Sequence, residues 1–433
     1  MQYLLERDEF MEIIKKPRGT EDLLFEETIK WQIIEDIIKK EAAIYNFKEV
    51  RTPIFELTQL FQRGVGETTD VVSKEMYTFE DKGDRSLTLR PEGTTGVIRA
   101  YIENKMYGYD NQPVKTYYVG PMFRYERPQK GRQRQFHQFG VETLGIKSAQ
   151  ADVECIMLGL NTLNKFGLKN LKVLINSLGD EQSRKDYRKA LIEYFSQYKE
   201  DLCGDCNARL EKNPLRILDC KVDADKDFMK NAPKLSDYLT QESASYFNEV
   251  LSILDSLNVE YEIDQKLVRG LDYYTDTIFE VVSTNESSGS QATLFGGGRY
   301  DGLVSELGGP EVSGIGFGMG LERIILAIDE ENPQLFKGDN LDVYVMPLKE
   351  ECLSYAYKIL EQLRANDIKS DIAYEIKSMK AMFRYVERNN IDNVIIIGED
   401  EMNSNSLIFK NISSNTQTQL NENWLDTIVE RLK

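Results

Sequence analysis

The stretch FRYERPQKGRQRQFHQFGVE, residues 123–142, decides the fold prediction because it reads as a strand, a tight basic loop and a second strand. Side chains alternate between the two faces of a strand, so the first strand is expected to place Arg124 and Glu126 on one face. By the same alternation, the second strand places Gln138 and Glu142 together. Pairing the two strands therefore brings an arginine, a glutamine and two carboxylates over one patch of sheet.

The loop that connects these strands is basic. It carries Arg127, Lys130, Arg132 and Arg134 around a glycine, and such a loop can fold over a polyphosphate. The patch beneath it suits a small molecule with an amine and a polar head. A polyphosphate-binding loop above such a patch indicates activation of a carboxylate by ATP. A solvated charged hairpin tip is the commoner explanation for a segment like this taken alone. The remaining segments must therefore decide between these two interpretations.

Composition bounds the class of protein. The chain has 433 residues, 41% of them apolar and 29% charged, which predicts two to four domains of a soluble protein. No apolar run is long enough to span a bilayer, and the acidic N-terminus, with a start at Met1 or Met11, does not resemble a signal peptide. Five cysteines indicate a reducing cytosol. A net charge of −18 argues against non-specific nucleic-acid binding and leaves only local basic patches for RNA.

The domain prediction follows from the pattern of elements. Residues 1–330 mix helices and strands around the hairpin, with a polar, mostly helical insertion at about 180–258. A linker is predicted at 331–340, and residues 341–433 alternate between strand and helix as an α/β domain does. The fold class is therefore α+β, with an antiparallel sheet flanked by helices, a helical insertion and a C-terminal α/β domain.

Four of the predicted elements bear on the candidate site. Strands are expected at Lys48–Phe55 and across 259–284, and helices at Thr94–Tyr107 and Ile376–Asn389. On the last helix, four basic residues fall on one narrow stripe at 100° per residue; they are Lys377, Lys380, Arg384 and Arg388. A solvated helix face and a phosphate contact explain this stripe equally well.

A second informative segment is LVRGLDYYTDTIFE, which begins at Leu267. A lone arginine, Arg269, stands beside Gly270 and two tyrosines, Tyr273 and Tyr274, between apolar strand residues. In a regular strand Arg269 and Tyr273 share a face. A binding site explains the segment, and so does a sheet edge with aromatic cross-strand pairs.

A third segment is SGIGFGMGLERIIL, in which glycines recur at every second position from 314 to 320. One strand face then lacks side chains, so that a flat ring can lie against it while Arg323, on the first turn of the next helix, covers the other side. A tight strand–helix joint explains the glycines but not the arginine. In RPEGT, Glu92 precedes a helix, where an acid also simply complements the helix dipole.

Two other candidates are given structural roles. The single histidine, His137, points to the strand face opposite Gln138, which predicts a packed, hydrogen-bonded side chain. The second candidate is the group of Cys203, Cys206 and Cys220. A structural zinc ion would need a fourth ligand, and no histidine is near, so no metal site is predicted.

These segments together resemble the class II aminoacyl-tRNA synthetases and, among them, the histidyl-tRNA synthetases. FKEVRTPIFE is similar to the family's dimer motif, the hairpin to its ATP-binding motif and GFGMGLER to its third motif. RPEGT and LVRGLDYY resemble the two histidine-specific signatures. The joint occurrence of these motifs in the right order makes the resemblance specific over roughly residues 16–330, and looser in the tail.

The resemblance implies a role for each matching residue. Arg124 and Arg269 would be catalytic at the α-phosphate, and ATP would be held by Arg124, Glu126, Arg132 and Arg323. Histidine would be bound by Glu92, Thr94, Arg124, Gln138, Glu142, Arg269, Tyr273 and Tyr274. Gln129 and Arg134 would meet the acceptor end of the tRNA.

The resemblance also implies the reaction and the partners. L-Histidine and ATP, with Mg2+ on its phosphates, would give histidyl-adenylate and pyrophosphate, and histidine would pass to the 3′ end of tRNA(His). The enzyme would be a cytoplasmic homodimer. The alternative is a non-catalytic paralogue that serves as a regulatory subunit of ATP phosphoribosyltransferase. Retention of Arg124, Arg269, Arg323 and the tail domain favours the enzyme.

Overall fold

The structure, a computed structural model, describes residues 13–66, 69–218, 220, 222–285, 293–336 and 341–432. Met1 and Met11, the two candidate start residues, lie outside the described residues, and so does the end of the predicted linker, residues 337–340. The chain divides into two compact units, Met1–Phe336 and Lys337–Lys433. The division into functional domains at 1–330, 331–340 and 341–433 remains a prediction.

The strands of the first unit form one large and one small sheet. They are β1 (Lys48–Glu49), β2 (Phe55–Leu57), β3 (Tyr77–Glu80), β4 (Ser86–Leu89), β5 (Val114–Phe123), β6 (Gln135–Leu144), β7 (Leu171–Ser177), β8 (Tyr261–Ile263), β9 (Thr275–Ser283), β10 (Thr293–Arg299) and β11 (Gly314–Gly320). The large sheet has the order β1-β5-β6-β11-β10-β9-β7-β8, and the small one the order β2-β4-β3. Every neighbouring pair is antiparallel except β1–β5 and β7–β8 at the two edges.

The helices of this unit are α1 (Glu26–Ile44), α2 (Thr58–Val65), α3 (Thr94–Glu103), α4 (Ala149–Lys165), α5 (Glu181–Ser196), α6 (Gly204–Lys212), α7 (Asp227–Lys230), α8 (Gln241–Ser256), α9 (Leu303–Glu306) and α10 (Leu321–Glu331). Short 3-10 turns lie at Met106–Gly108, Pro214–Ile217, Leu235–Tyr238 and Pro333–Phe336, and a π-helical turn at Val71–Glu75. The apolar stripes of α1, α4, α8 and α10 pack against one face of the large sheet and form its main core. The other face is left for the site.

The predicted fold class is confirmed. The sheet is mostly antiparallel and is flanked by helices, and residues between β7 and β8 form the mostly helical insertion. The buried ion pair between Arg299 and Asp152 ties β10 to α4 in the core. Among the described residues, no helix is both long enough and apolar enough to cross a membrane.

The predicted strand at Lys48–Phe55 is wrong in its middle. The structure has two short strands instead, and they join different sheets: β1 pairs with β5, and β2 pairs with β4. Pro53 lies in the break, where its missing N–H cannot support a continuous ladder. The predicted helix at Thr94–Tyr107 ends at Glu103, and Lys105 follows in a left-handed conformation.

The strand predicted across 259–284 is also interrupted. Residues 264–274, which include Arg269, Tyr273 and Tyr274, form an irregular loop between β8 and β9. Side-chain and tertiary contacts replace the backbone hydrogen bonds of a strand there; for example, the Arg216 side chain donates to the carbonyl of Gly270. The period-two argument for this segment therefore does not apply to it.

The second unit contains a five-stranded sheet of order β13-β12-β14-β15-β16. Its elements are β12 (Val343–Pro347), α11 (Leu353–Arg364), β13 (Ser370–Ile372), α12 (Met379–Arg388), β14 (Asn393–Ile397), α13 (Glu399–Asn403), β15 (Leu407–Asn411), β16 (Thr416–Leu420) and α14 (Trp424–Leu432). The first three strands are parallel, as the alternating pattern predicts, and an antiparallel hairpin completes the sheet.

Helix α12 is shorter than predicted at its N-terminus. Ser378 caps it by accepting the backbone N–H of Ala381, which places Lys377 outside the helix. Lys380, Arg384 and Arg388 are exposed and stay on one face of the helix. The stripe therefore has three helical members rather than four.

Candidate active site

The floor of the candidate site is the sheet face opposite the main core. The strand register places Glu142 of β6 beside Gly316 of β11, and Gln138 of the same strand beside Gly320. Gly316 also pairs with Gly298 of β10. This face therefore has side chains on β6 and almost none on β11, as the alternation predicts for both strands.

The glycines of β11 do two different things along the strand. A Cβ atom at Gly316 would lie 2.0 Å from Oε2 of Glu142, and one at Gly314 would lie 2.3 Å from the ring of Tyr300. Glycine is required there to leave room for the site's own side chains. At the other end, Gly320 has no heavy atom within 4 Å of such a Cβ, so the bare backbone expected for a flat ring is open at that end.

Arg124 and Glu126 are not on a strand, which corrects the hairpin prediction. β5 ends at Phe123, and both residues lie in the loop that follows. Arg124 is nevertheless fixed over the floor, because its Nε donates to the carbonyl of Pro91 at 2.8 Å. Its guanidinium also lies 5.4 Å from the centre of the Phe136 ring.

A cleft of about 450 Å³ opens between this loop, the 264–274 loop and β11. Six arginines line it, together with Glu126, Gln138, Gly318 and Gly320; the arginines are Arg124, Arg132, Arg209, Arg216, Arg269 and Arg323. A concentration of guanidinium groups beside bare backbone suits a polyphosphate attached to a flat ring. The cleft thus unites every residue to which the sequence assigned a contact with ATP.

Arg323 enters the cleft from the first turn of α10, as predicted. Its Nη1 donates to the carbonyl of Thr293 at 3.0 Å, which fixes the guanidinium near the open end of β11. Burial lowers the pKa of Arg323 from its usual value. An arginine that is largely removed from water in this way is available to stack on a ring.

Arg269 is held by a partner that the sequence did not suggest. Its Nη1 forms an ion pair with Glu280 of β9, and its guanidinium lies 5.8 Å from the centre of the Tyr274 ring. Burial alone would lower the pKa of Arg269, but the charge of Glu280 together with the neighbouring Tyr274 and Tyr273 holds the pKa above its usual value. Glu280 could have been found from strand alternation, because it pairs with Gly296 on the site face.

Glu142 lies in a buried cluster next to the cleft. Its side chain is inaccessible to solvent; Oε2 accepts a hydrogen bond from the Tyr300 hydroxyl, and Oε1 has no hydrogen-bond partner among the described residues. Burial raises the pKa of Glu142 to about 8. A buried carboxyl with one unused oxygen is a binding group for a polar donor.

Tyrosines form the walls around Glu142. The ring centres of Tyr273 and Tyr274 are 4.6 Å apart, and those of Tyr273 and Tyr300 are 5.6 Å apart. Tyr118 completes the wall, and burial raises its pKa well above the usual value. A Cβ at Gly140 would lie 2.2 Å from the Tyr118 ring, so this glycine admits the ring. The sequence reasoning named Tyr273 and Tyr274 but missed Tyr118 and Tyr300.

Glu92 takes part in local structure at the start of α3. Its two oxygens accept the N–H groups of Thr94 and Thr95, each at 2.8 Å. This is the helix-terminus interaction that the sequence offered as the alternative for Glu92. Glu92 and Thr94 are both buried beside the tyrosine cluster, and their contact with an amino group remains a prediction.

The basic loop is folded back on the hairpin. Gln129 and Arg132 pair through their backbones, and Nη1 of Arg132 lies 3.5 Å from Oε2 of Glu126. Arg134 stacks on Tyr125, with its guanidinium 3.9 Å from the ring centre. Arg132 therefore reaches the cleft, whereas Arg134 lies on the outer side of the loop.

His137 is outside this site, as predicted. Its Nδ1 lies 3.1 Å from Oε1 of Glu322, and its ring packs 4.5 Å from that of Trp31. It lines a separate cavity of about 670 Å³ that contains none of the residues assigned to histidine. The prediction of a packed, hydrogen-bonded histidine is confirmed.

This sheet, with an arginine-lined cleft on its free face, is the catalytic fold of the class II aminoacyl-tRNA synthetases. The family profile described as "Histidyl-tRNA synthetase" matches residues 19–324, and the profile "Anticodon binding domain" matches residues 342–432. The chain belongs to the histidyl-tRNA synthetase family.

Several relatives match over nearly their whole length. The histidine–tRNA ligase of Oceanobacillus iheyensis is 49% identical over 417 residues, which is 96% of this chain and 97% of the relative. That of Bacillus subtilis is 50% identical over 404 residues, 93% of this chain and 95% of the relative. The crystal structure of apo Staphylococcus aureus histidyl-tRNA synthetase superimposes with a TM-score of 0.81 at 42% identity, covering 97% of this chain and 100% of that one.

Proposed function

We propose that this chain is a histidine–tRNA ligase that activates L-histidine with ATP and then transfers it to tRNA(His). It is an ATP-dependent ligase by family. The observation that carries the proposal is the position of Glu142, a buried carboxyl with an unused oxygen, directly beside an arginine-lined cleft. The buried cluster accommodates a small polar ring, and the cleft accommodates the nucleotide.

The imidazole of histidine is the ligand that suits Glu142. Imidazole has a donor at one nitrogen and an acceptor at the other, and a carboxyl and a phenol can satisfy both at once. The protonated Glu142 or the Tyr274 hydroxyl donates to one nitrogen, and the other nitrogen donates to an oxygen of the same cluster. Gln138, Glu92 and Thr94 then take the amino group of the substrate.

Activation needs no protein nucleophile. The carboxylate of histidine attacks the α-phosphorus of ATP, a bond forms between its oxygen and phosphorus, and pyrophosphate leaves. Arg124 and Arg269 supply positive charge where it develops on the transferring group, and their fixed partners, Pro91 and Glu280, keep them in place before the reaction starts. Preorganised charge of this kind is the main source of acceleration in such reactions.

ATP binding uses both ends of the cleft. Arg323 and Glu126 hold the adenine against the open backbone at Gly320, and Arg132 meets the γ-phosphate. ATP enters with Mg2+ on its phosphates. The carboxylate of Glu75, which lines the same cleft, would offer such an ion an oxygen ligand of the kind that it prefers.

Two parts of the chain serve the tRNA. Gln129 and Arg134, on the outer side of the basic loop, meet the acceptor end. The unit that matches the anticodon-binding profile carries the exposed stripe of Lys380, Arg384 and Arg388, which suits the phosphates of an RNA stem. This reaction takes place in the cytoplasm, where tRNA is used.

The chain acts as a homodimer. Around Pro53, three large apolar side chains are exposed: Ile54 at 44%, Phe55 at 53% and Leu57 at 54%. A contiguous apolar strand edge on a protein of this net charge is the kind of surface that a second copy covers.

The regulatory paralogue of ATP phosphoribosyltransferase is not favoured. A structure from Bacillus halodurans, described as an ATP phosphoribosyltransferase regulatory subunit/histidyl-tRNA synthetase, is 22% identical with a TM-score of 0.62, and this likeness shows the fold alone. The relatives near 50% identity are named as ligases and extend through the tail.

Histidine-dependent exchange of pyrophosphate into ATP tests the proposal. The full chain should catalyse exchange with histidine and with none of the other nineteen amino acids. It should then charge tRNA(His) transcript in the presence of ATP. Exchange that is absent, or that occurs equally well with another amino acid, would overturn the assignment.

A further inference from the structure

The strongest unassigned feature is a group of four metal-ligating side chains in the helical insertion. Cys203, Cys206, Cys220 and Asp223 place three sulfur atoms and one carboxylate oxygen within 4.8 Å of one another. Cys206 and Asp223 are fully buried, and Cys220 is 5% exposed. No metal site is predicted from the sequence because no histidine is near to serve as the fourth ligand, but the fold supplies Asp223 instead.

The separation of two of the sulfurs matches two ligands of a single tetrahedral ion. With Zn–S bonds of about 2.3 Å, two ligands at the corners of a tetrahedron are about 3.8 Å apart. The Sγ atoms of Cys203 and Cys220 are 3.7 Å apart. A [4Fe–4S] cluster would need wider separations, because each thiolate would bind a different iron, and a [2Fe–2S] cluster would divide the four ligands between two irons.

The backbone around the group repeats one local arrangement twice. Sγ of Cys203 accepts the N–H of Cys206 at 3.4 Å, and Sγ of Cys220 accepts the N–H of Asp223 at 3.4 Å. Each pair is three residues apart in sequence, so C-x-x-C and C-x-x-D both direct the N–H of their last residue at the sulfur of their first. N–H groups directed at sulfur stabilise thiolates, which are the form that binds metal.

Charge around the group is also arranged for an ion. The N–H of Cys203 donates to Oδ2 of Asp223 at 3.0 Å, which orients the carboxylate. Nζ of Lys226 lies 2.9 Å from Oδ1 of Asp223 and offsets part of the negative charge that three thiolates and a carboxylate bring to one divalent ion. Three sulfurs and one oxygen are ligands that zinc accepts and that magnesium and calcium do not prefer.

We propose that Cys203, Cys206, Cys220 and Asp223 bind one structural zinc ion in the helical insertion. The ion joins the start of α6 to Cys220 and Asp223, which follow the short 3-10 turn Pro214–Ile217. Helix α6 and that 3-10 turn carry Arg209 and Arg216, which line the cleft. Arg209 lies 3.9 Å from Asp70, and Arg216 lies 3.7 Å from Asp272. The ion therefore fixes the side of the site that the insertion contributes.

The test is a direct measurement of metal on the full chain. The protein is purified under reducing conditions and dialysed against metal-free buffer. Inductively coupled plasma mass spectrometry should then find about one zinc per chain. Cys206→Ser should lose it, and Asp223→Asn should bind zinc at least tenfold more weakly in competition with a chelating indicator. Cys352→Ala, which removes a buried thiol in the other unit, should keep the full stoichiometry.

A second measurement covers the case in which Cys206→Ser does not fold. Cobalt added to the metal-depleted wild type should give thiolate-to-metal charge-transfer absorption and the strong visible bands of a tetrahedral site, and zinc should abolish both. A zinc-free protein with no such spectrum would overturn the proposal. An intact mass two units low under non-reducing conditions, with Cys203 and Cys220 joined, would overturn it in favour of a disulfide.

Discussion

Replacing Glu142 by glutamine tests the histidine pocket through its protonation. The folded chain holds the pKa of this carboxyl at about 8, against an ordinary value of 4.5, because the group is fully buried. Between these two pH values the unfolded chain has released the proton and the folded chain has kept it. The unfolded state binds fewer protons, so the free energy of unfolding falls as the pH rises from about 4.5 to about 8.

The magnitude follows from the size of the shift. At 1.36 kcal/mol per pKa unit, the carboxyl lowers the stability of the catalytic unit by about 3–4 kcal/mol between pH 5 and pH 8. Glutamine does not titrate, so the Glu142→Gln variant should lack this loss. The difference in unfolding free energy between variant and wild type should grow by that amount over the same range.

Tryptophan fluorescence can isolate the relevant unit. The chain has two tryptophans, Trp31 in the core of the catalytic unit and Trp424 in the tail. Urea unfolding in a Trp424→Phe background therefore reports the catalytic unit alone. Glu193→Gln, the same change on an exposed face of α5, is the matched control and should show no such trend. Parallel pH dependence in wild type and Glu142→Gln would refute the reasoning.

Ligand binding supplies the second readout. Glu142→Ala should weaken histidine by about 5- to 150-fold, the effect of about 1–3 kcal/mol for an unpaired partner in a dry pocket, and leave ATP nearly unchanged. Glu142→Gln keeps a donor and an acceptor, as the protonated carboxyl does, and should bind histidine more nearly like the wild type at neutral pH. The ratio of wild-type to variant affinity should stay constant below about pH 8 and fall about tenfold per pH unit above it, because only the wild type must then recover a proton. Equal loss for histidine and ATP would point to a misfolded site instead.

The other predictions concern the arginine, the tail and the dimer. Arg269→Ala should slow adenylate formation by about 10²–10³-fold while the affinities for ATP and histidine change little. Adding Glu280→Ala should recover the stability that is lost when Glu280 is left unpaired, but should not recover the rate. A wild-type rate of pyrophosphate exchange in Arg269→Ala would exclude a catalytic role for this arginine. Arg384→Gln with Arg388→Gln should raise the KM for tRNA and flatten its salt dependence, with histidine-dependent exchange unchanged; unaltered charging would leave that face without a role in RNA binding. Light scattering should give twice the chain mass of 49.9 kDa, and Phe55→Asp should shift it toward one chain; a single-chain mass for the wild type would refute the dimer.

Much of the site was accessible from local sequence because it rests on strand alternation and on motif order. Gln138 and Glu142 share a face of β6 as predicted, and Arg323 enters from the first turn of α10. Period-two alternation depends only on the local backbone geometry of a strand, so it can be predicted without knowing the tertiary contacts. The same reasoning failed at Arg124 and Arg269, because β5 ends before the former and the latter lies on a loop that tertiary contacts shape.

The sequence by itself determined the family, the floor of the site and the order of the domains, because these depend on local patterns and on residue types at fixed spacing. Only the tertiary structure decided which side chains meet across the sheet. Tyr300 reaches Glu142 because packing brings together residues that lie 158 apart in sequence. Glu280 pairs with Arg269, and Asp223 joins three cysteines, because irregular segments fold back on neighbouring elements in a way that no regular period describes. The raised pKa of Glu142 has the same origin, since burial depends on every element around the group.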